Sequence, residues 1–177
     1  MIKSSTIYTP LGDMKALVRN DELCLLEFLK PERIKLQEVR LLKFYDEKIE
    51  PDDDPLFAEI QHQLDKYFNG KLQTFDLPLN IHANVFRHAT WEFLLQISYG
   101  QTRTYMDLAL MHGDAKKVRA IGKANGANRI AIIVPCHRVI GADGSLVGYA
   151  GELWRKKHLL DLEAEHSGRG LQLEIPF

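Results

Sequence analysis

The sequence predicts an α+β protein folded in two units, on three observations. Three short runs of strand composition, separated by turn residues, open the chain. Two segments with helical spacing follow. Beyond about residue 83 the pattern is helical and includes two short helices joined by a Gly-containing turn. The expected divisions are residues 1–82, residues 83–166 and a C-terminal tail over 167–177. A chain of 177 residues, 45% apolar and 27% charged, can bury its cores without metal or disulfide and is neither fibrous nor disordered.

In the first unit, strands are expected over 2–8, 14–19 and 23–29, with turns at Pro10-Leu11-Gly12 and Asn20-Asp21-Glu22. This is a β-meander. A helix is expected over 32–44 and another over 55–68, where Leu56, Ile60, Leu64 and Phe68 recur every four residues before Asn69-Gly70 stops the run. Asp54 fits an N-cap with Pro55 at the first helical position; metal binding by Asp52, Asp53 and Asp54 is the weaker alternative. An apolar stretch over 74–81 leads to the second unit.

That unit opens with a helix expected over 85–97, capped by Asn84 and burying Phe86, Phe93, Leu94 and Ile97. Thr104 caps a short helix over 105–111, His112-Gly113 makes a turn, and Asp114 caps a further helix through Ala124. The spacing is that of a helix-turn-helix, which also occurs in helical cores that never meet DNA. Charge favours DNA. From Ala115 to Ala142 the chain carries Lys116, Lys117, Arg119, Lys123, Arg129 and Arg138 and no acidic residue, giving a cationic surface suited to phosphates. The net charge of −1 hides this: residues 1–70 hold ten basic and fourteen acidic side chains, residues 114–177 ten and seven.

The longest apolar stretch, residues 130–136, is far short of the roughly 20 residues a membrane helix needs, so no membrane role is expected. The first thirteen residues lack the apolar core of a secretory signal, which points to the cytosol. There two cysteines are expected to stay free thiols. Cys24, within Leu23-Cys24-Leu25-Leu26, reads as a buried, inert strand thiol. No coiled-coil or other pairing segment is evident, so a monomer is expected.

Cys136 differs. The apolar run over 130–134 reads as a buried extended segment that delivers Pro135-Cys136-His137-Arg138, with Pro135 restricting the backbone just before the thiol. A free thiol ionises near pH 8.5, so a nucleophilic role calls for a base or a cation, and His137 and Arg138 are adjacent. Neighbours in an extended chain face opposite ways, so His137 would act through a water or after a local bend. A buried cysteine beside an incidental histidine is the alternative. Glu163 ends an amphipathic helix over 153–165, with Leu153, Leu159, Leu160 and Leu162 on its apolar side, and a carboxylate there could orient the imidazole. The Gly-rich segment over 141–151 lacks the Lys and Ser/Thr of a phosphate loop. It reads as a small-residue wall over a flat ligand, with Tyr149 as a packing face, or as a plain surface hairpin.

These residues resemble a known family, the O6-alkylguanine-DNA alkyltransferases, also called methylated-DNA-protein-cysteine methyltransferases. The resemblance rests on Val134-Pro-Cys-His-Arg-Val-Ile140, on Arg119-Ala-Ile-Gly122 preceding Asn125-Gly-Ala-Asn128, on Thr104-Tyr105, on Gly148-Tyr-Ala-Gly151 and on the run from Lys156 to Glu163. It implies a small ribonuclease H-like α/β domain followed by a helical domain with a winged helix-turn-helix. It also implies a single-turnover DNA repair enzyme without cofactor or metal, which binds double-stranded DNA containing O6-alkylguanine through the minor groove and extrudes the damaged base.

By the same resemblance Cys136 accepts the alkyl group, His137 is its base through a water, Glu163 orients His137, and Asn128 braces the turn under the site. Arg119 would fill the gap left by the extruded nucleotide, and Tyr105 would help turn the base and neutralise the departing guanine. Tyr149 and Ala150 would line the pocket, while Phe86, Met106, Asp114 and Ala142 stand near the DNA backbone. Two positions depart from the pattern: Arg129 stands where members commonly carry Pro, and Trp154 where the residue is often small or aliphatic. A non-enzymatic lesion-binding protein is the nearest rival function, and the presence of Cys136 weighs against it. A cysteine hydrolase would not need the cationic helix.

Overall fold

The computed structural model describes residues 1–168, which form two compact units, 1–81 and 82 onward. Most of the tail expected over 167–177 lies outside the described residues. The α+β class holds.

Strands β1 (Ile2–Ile7), β2 (Met14–Arg19) and β3 (Glu22–Phe28) form the antiparallel meander. Asn20 and Asp21, both with positive φ (50° and 59°), make the tight β2–β3 turn, a conformation that Asn and Asp tolerate better than other side chains. Helix α1 (Pro31–Leu42) follows, two residues shorter at its end than expected, and buries Ile34, Gln37 and Leu41. Ile34 and Leu41 pack in one cluster with Ile2, Leu17, Cys24 and Leu25. A fourth strand, β4 (Ile49–Pro51), pairs in parallel with β1, giving the sheet order β3-β2-β1-β4. At three residues, with a proline and acidic neighbours, it carries almost no strand signal.

Helix α2 (Pro55–Phe68) has the expected bounds, and the Asp54 carboxylate accepts the Leu56 amide as its N-cap. Its buried stripe is Phe57, Ile60, Leu64 and Tyr67 rather than a strict four-residue repeat, because 3.6 residues per turn moves the inward face between i+3 and i+4. The stretch over 74–81 returns along β3, where Leu23 donates its amide to Pro78 O and accepts at its carbonyl from Asn80 N.

In the second unit α3 (Val85–Leu95) starts at Asn84, whose side chain accepts the Arg87 amide. Thr90, Trp91 and Leu94 form its buried face, and Ile97 beyond it is buried too, whereas Phe86 and Phe93 are only half-buried. Trp91 donates its indole N–H to Ala124 O on the next helix but one. Helix α4 (Tyr105–Met111) begins with a complete capping box: Thr104 accepts from the Asp107 amide and the Asp107 carboxylate from the Thr104 amide. Gly113, at φ 75°, turns the chain. The helix expected from Asp114 through Ala124 is a short 3-10 turn, Ala115–Lys117, continued by α5 (Val118–Gly126). Two-residue strands β5 (Arg103–Thr104) and β6 (Val139–Ile140) pair in parallel, so the start of α4 lies beside the residues that follow Cys136.

The segment over 130–134 is buried as expected but is not extended. It folds into successive turns closed by Ile133 N to Ala131 O and Val134 N to Ile130 O, with Ile132 at φ 71°. An apolar run signals burial; periodicity over five residues does not separate a strand from a packed turn. Helix α6 (Leu153–His166) closes the unit, with Lys156, Leu159, Leu160 and Glu163 inward; Leu153 is about half exposed and leaves the expected apolar side.

Candidate active site

The site begins where α5 ends. Asn128 is buried and its amide reaches several ways: Oδ1 accepts the Ile130 amide at 3.0 Å, while Nδ2 donates toward Val134 O at 2.9 Å and Cys136 Sγ at 3.1 Å. One side chain thus fixes both the turn and the sulfur. Pro135, at φ −81° and ψ 61°, makes a tight turn in which Cys136 N donates to Val134 O at 2.8 Å. Residues 136–138 then form a single 3-10 turn rather than an extended stretch, so the opposite-face reasoning for Cys136 and His137 does not apply.

His137 is fully buried, and its Nε2 lies 2.7 Å from Glu163 Oε1. Its Nδ1 has no hydrogen-bond partner among the described residues. Glu163 also accepts Arg138 Nε at 2.8 Å, Arg138 NH2 at 2.9 Å and the Gly100 amide at 3.1 Å. Burial works to raise the Glu163 carboxyl, but His137 and Arg138 more than reverse it and hold the group below the usual carboxylate range. For His137 burial dominates and lowers it from the ordinary value; Glu163 opposes this, and the Arg138 and Lys156 charges add to it. An ionised Glu163 fixes the proton of the neutral ring on Nε2, which leaves Nδ1 as an acceptor.

The same unit holds a cleft of about 440 Å³, whose lining does not include Cys136, His137 or Glu163. One wall is α5, at Val118, Gly122 and Gly126; the other is the chain from Val147 to Ala150, with Tyr105 between them. Tyr149 and Ala150 both line this cavity. The Tyr105 hydroxyl donates toward Val147 O at 3.1 Å and Gly148 O at 3.3 Å. Burial first and the Cys136 charge second push its phenol up to about 12. Gly148 is at φ 54°, which favours glycine, and a Cβ there would stand in ordinary contact with that hydroxyl at 3.5 Å. Gly141-Ala-Asp-Gly144 makes the expected turn, with Gly141 N donating to Ser145 O.

Lys156 was not expected to belong here. It is fully buried, donates to Val139 O and Val147 O, and lies 5.9 Å from the Tyr105 ring centroid. Burial lowers its ammonium to about 8, opposed by the charge of Cys136. Its sequence signal was its place on the α6 stripe, seven residues before Glu163. Arg138 and Gly100, which hold Glu163, were also missed as contacts.

The cationic surface is smaller than the sequence implied. Arg138 is committed to Glu163 and to Ile97 O, and buried Arg129 donates to His82 O and lies 5.3 Å from the Trp91 ring centroid. Lys116, Arg119 and Lys123 remain exposed along the 3-10 turn and α5, while Lys117 is half-buried and donates to His112 O. Met106 and Ala142 are exposed, and Asp114 spends its carboxylate on the Lys116 amide. Phe86 stacks on His112 at 4.5 Å. Trp154 is exposed, its indole N–H donating to Glu152. Among the described residues no helix is long and apolar enough to cross a membrane.

Family models match both units of the chain. The ribonuclease-like domain of 6-O-methylguanine DNA methyltransferase matches residues 2–81, and the DNA binding domain of the same family matches residues 85–165. A methylated-DNA–protein-cysteine methyltransferase of Mycolicibacterium paratuberculosis is 44% identical over 138 residues, 75% of this chain and 84% of that protein. One from Methanosarcina barkeri is 50% identical over 107 residues, 60% of this chain and 68% of its own. Among solved structures, the Mycobacterium tuberculosis O6-methylguanine methyltransferase is similar at 37% identity and TM-score 0.76, covering 94% of each chain. A second structure from that organism, in complex with DNA, is 38% identical at TM-score 0.78, covering 93% of this chain and 94% of its own. The chain belongs to the 6-O-methylguanine DNA methyltransferase family.

Proposed function

We propose that Cys136 is the residue that accepts the alkyl group in direct-reversal repair of O6-alkylguanine in DNA, the repair activity of this family. The observation that carries the assignment is the buried Glu163–His137 pair directly after Cys136, which leaves Nδ1 of His137 unclaimed by the described protein groups. A water joining Nδ1 to Sγ takes the thiol proton to the imidazole. The sulfur then attacks the alkyl carbon as the carbon–O6 bond breaks, and the Tyr105 hydroxyl neutralises the departing guanine. Asn128 holds Sγ in line, and Tyr149 and Ala150 flank the base. The thioether is inert, so each protein acts once.

Residues 83–166 carry the whole reaction, with residues 1–82 as a separate domain. DNA is engaged through the minor groove, with Arg119 filling the space of the extruded nucleotide and Phe86, Met106, Asp114 and Ala142 at the backbone. Extrusion costs a few kcal/mol, less for a lesion that pairs poorly, and an inserted arginine offsets part of it. The protein works as a monomer in the reducing cytosol, where Cys136 stays a thiol.

Intact mass followed by peptide mapping, after mixing with a duplex containing O6-methylguanine, tests the assignment. One methyl group per protein on Cys136 is the expected result, and none in the Cys136→Ala variant, which still binds DNA. Bound DNA with unchanged protein mass would instead mark a lesion-binding protein.

A further inference from the structure

His112 stands in the turn between α4 and the cationic 3-10 turn, and alkyl transfer makes no use of it. Its ring is half-buried, stacked on Phe86 at 4.5 Å with Phe93 edge-on at 4.9 Å. Nε2 lies 3.0 Å from Thr90 Oγ1. The Thr90 hydroxyl has one proton and donates it to Phe86 O at 2.8 Å, so Oγ1 accepts from the ring. That fixes the proton of the neutral imidazole on Nε2 and leaves a lone pair on Nδ1. Nδ1 has no hydrogen-bond partner among the described residues and, unlike Nδ1 of His137, is not buried.

The charge around this ring is positive. On α3 it meets Phe86, Thr90 and Phe93, none of them charged. Lys117 donates its ammonium to His112 O, and Lys116 and Arg119 stand exposed just beyond. Asp114, two residues on, spends its carboxylate on the Lys116 amide. Burial first and Lys117 second hold the imidazole below its ordinary value, so the DNA-free protein carries it neutral at about pH 7. An anion brought against the ring has the contrary effect and favours the protonated form. Phosphates are the anions that the exposed lysines and arginine of this stripe attract. We propose that His112 is a proton-linked DNA contact, which takes a proton from solvent at Nδ1 as the duplex binds and donates it to a backbone phosphate. A ring that serves only as a spacer between Phe86 and Phe93 has no need of an accessible lone pair beside a cationic stripe.

This inference rests on the DNA-binding reading above and adds one residue and one proton to its phosphate contacts. Binding that takes up a proton tightens as pH falls, and each added phosphate contact steepens the dependence on salt by about one. Affinity of the full chain for a labelled undamaged duplex is read by anisotropy over a salt series at about pH 8 and about pH 6.5, above the range where unfolding of the second unit begins. Calorimetry in buffers of different ionisation enthalpy counts the protons taken up. The wild-type protein is expected to bind about threefold or more tighter at the lower pH, with a steeper salt slope and net proton uptake. His112→Gln, whose amide still reaches Thr90 but cannot be protonated, should lose all three effects. His88→Gln, at an exposed histidine of α3, should keep them. A wild-type affinity indifferent to pH overturns the proposal, as does a pH dependence that survives in His112→Gln, and both outcomes leave transfer to Cys136, read by mass, untouched. Absence of duplex binding at either pH sinks the functional reading instead. Should His112→Gln fail to fold, the His112 ring resonances of the wild-type protein decide: their titration midpoint must rise when duplex is added.

Discussion

Asn128 shows how much one side chain can determine. Its amide spans the Ile130 amide, Val134 O and Cys136 Sγ, so the sulfur is placed by the same group that closes the preceding turn. Asn128→Ala leaves buried donors and acceptors unmet, and we expect a loss of about 2–3 kcal/mol in denaturant unfolding. Alkyl transfer should slow more than DNA binding weakens. Asn128→Asp, which keeps Oδ1 but turns a buried carboxylate oxygen toward Val134 O and Sγ in place of the donor, should fold no better than the alanine variant and still transfer slowly. Equal rates in all three proteins would mean that the sulfur needs no such support. The residues that sequence alone made legible, Cys136, His137 and Glu163, share a simple trait: each is chemically expressive beside an apolar run. Lys156, Gly100 and Arg138 were not legible as contacts. Their meaning depends on turns that bring a backbone amide, a carbonyl or a carboxylate to them from as far as 63 residues away.

At the scale of elements, helix starts were readable because capping is local: Asp54, Asn84, Thr104 and Asp114 each accept a backbone amide within three residues. The turns over 130–134 and the three-residue strand β4 were not: the turns close on local bonds that an apolar run does not announce, and β4 exists only through its pairing with distant β1. The same limit misread the cationic run. Lysine and arginine are surface residues by default, yet Arg129 and Arg138 are buried because a carbonyl and a carboxylate await them. What remains on the 3-10 turn and α5, Lys116, Arg119 and Lys123, is a narrower stripe. Arg119→Ala should weaken duplex binding and slow repair in duplex DNA while leaving reaction with the free base O6-benzylguanine unchanged. Lys116→Ala should weaken binding alike on damaged and undamaged DNA, with a shallower salt dependence. If Arg119→Ala slowed both substrates equally, it would act on the cleft and not on the duplex.

Across the whole molecule, the two units carry titrating groups of opposite sense. In the second, His137 and His112 are held below their ordinary values chiefly by burial, so the unfolded chain takes up protons that the folded one resists. Stability therefore falls as pH drops below about 6.5. Glu163 adds to this: its lowered carboxyl stabilises the fold above about 4.5, and that stabilisation fades as pH falls further toward its folded value. In the first unit the largely buried Glu27 is raised by burial despite Arg33, so it gains a proton more readily when folded and favours the fold in acid. Glu47 is lowered by the chain amino group and Arg19 and has the contrary sense, but it is exposed to screening. We therefore expect the second unit to open first on acidification. Both tryptophans, Trp91 and Trp154, belong to that unit, so intrinsic fluorescence reads it alone. Hydrogen exchange followed by mass should show α3 to α6 losing protection between about pH 6.5 and 4.5, while β1 to β3 keep theirs. Fluorescence and the exchange of both units changing together at one pH would mean that the two unfold as a single cooperative body, with these local shifts too small to separate them.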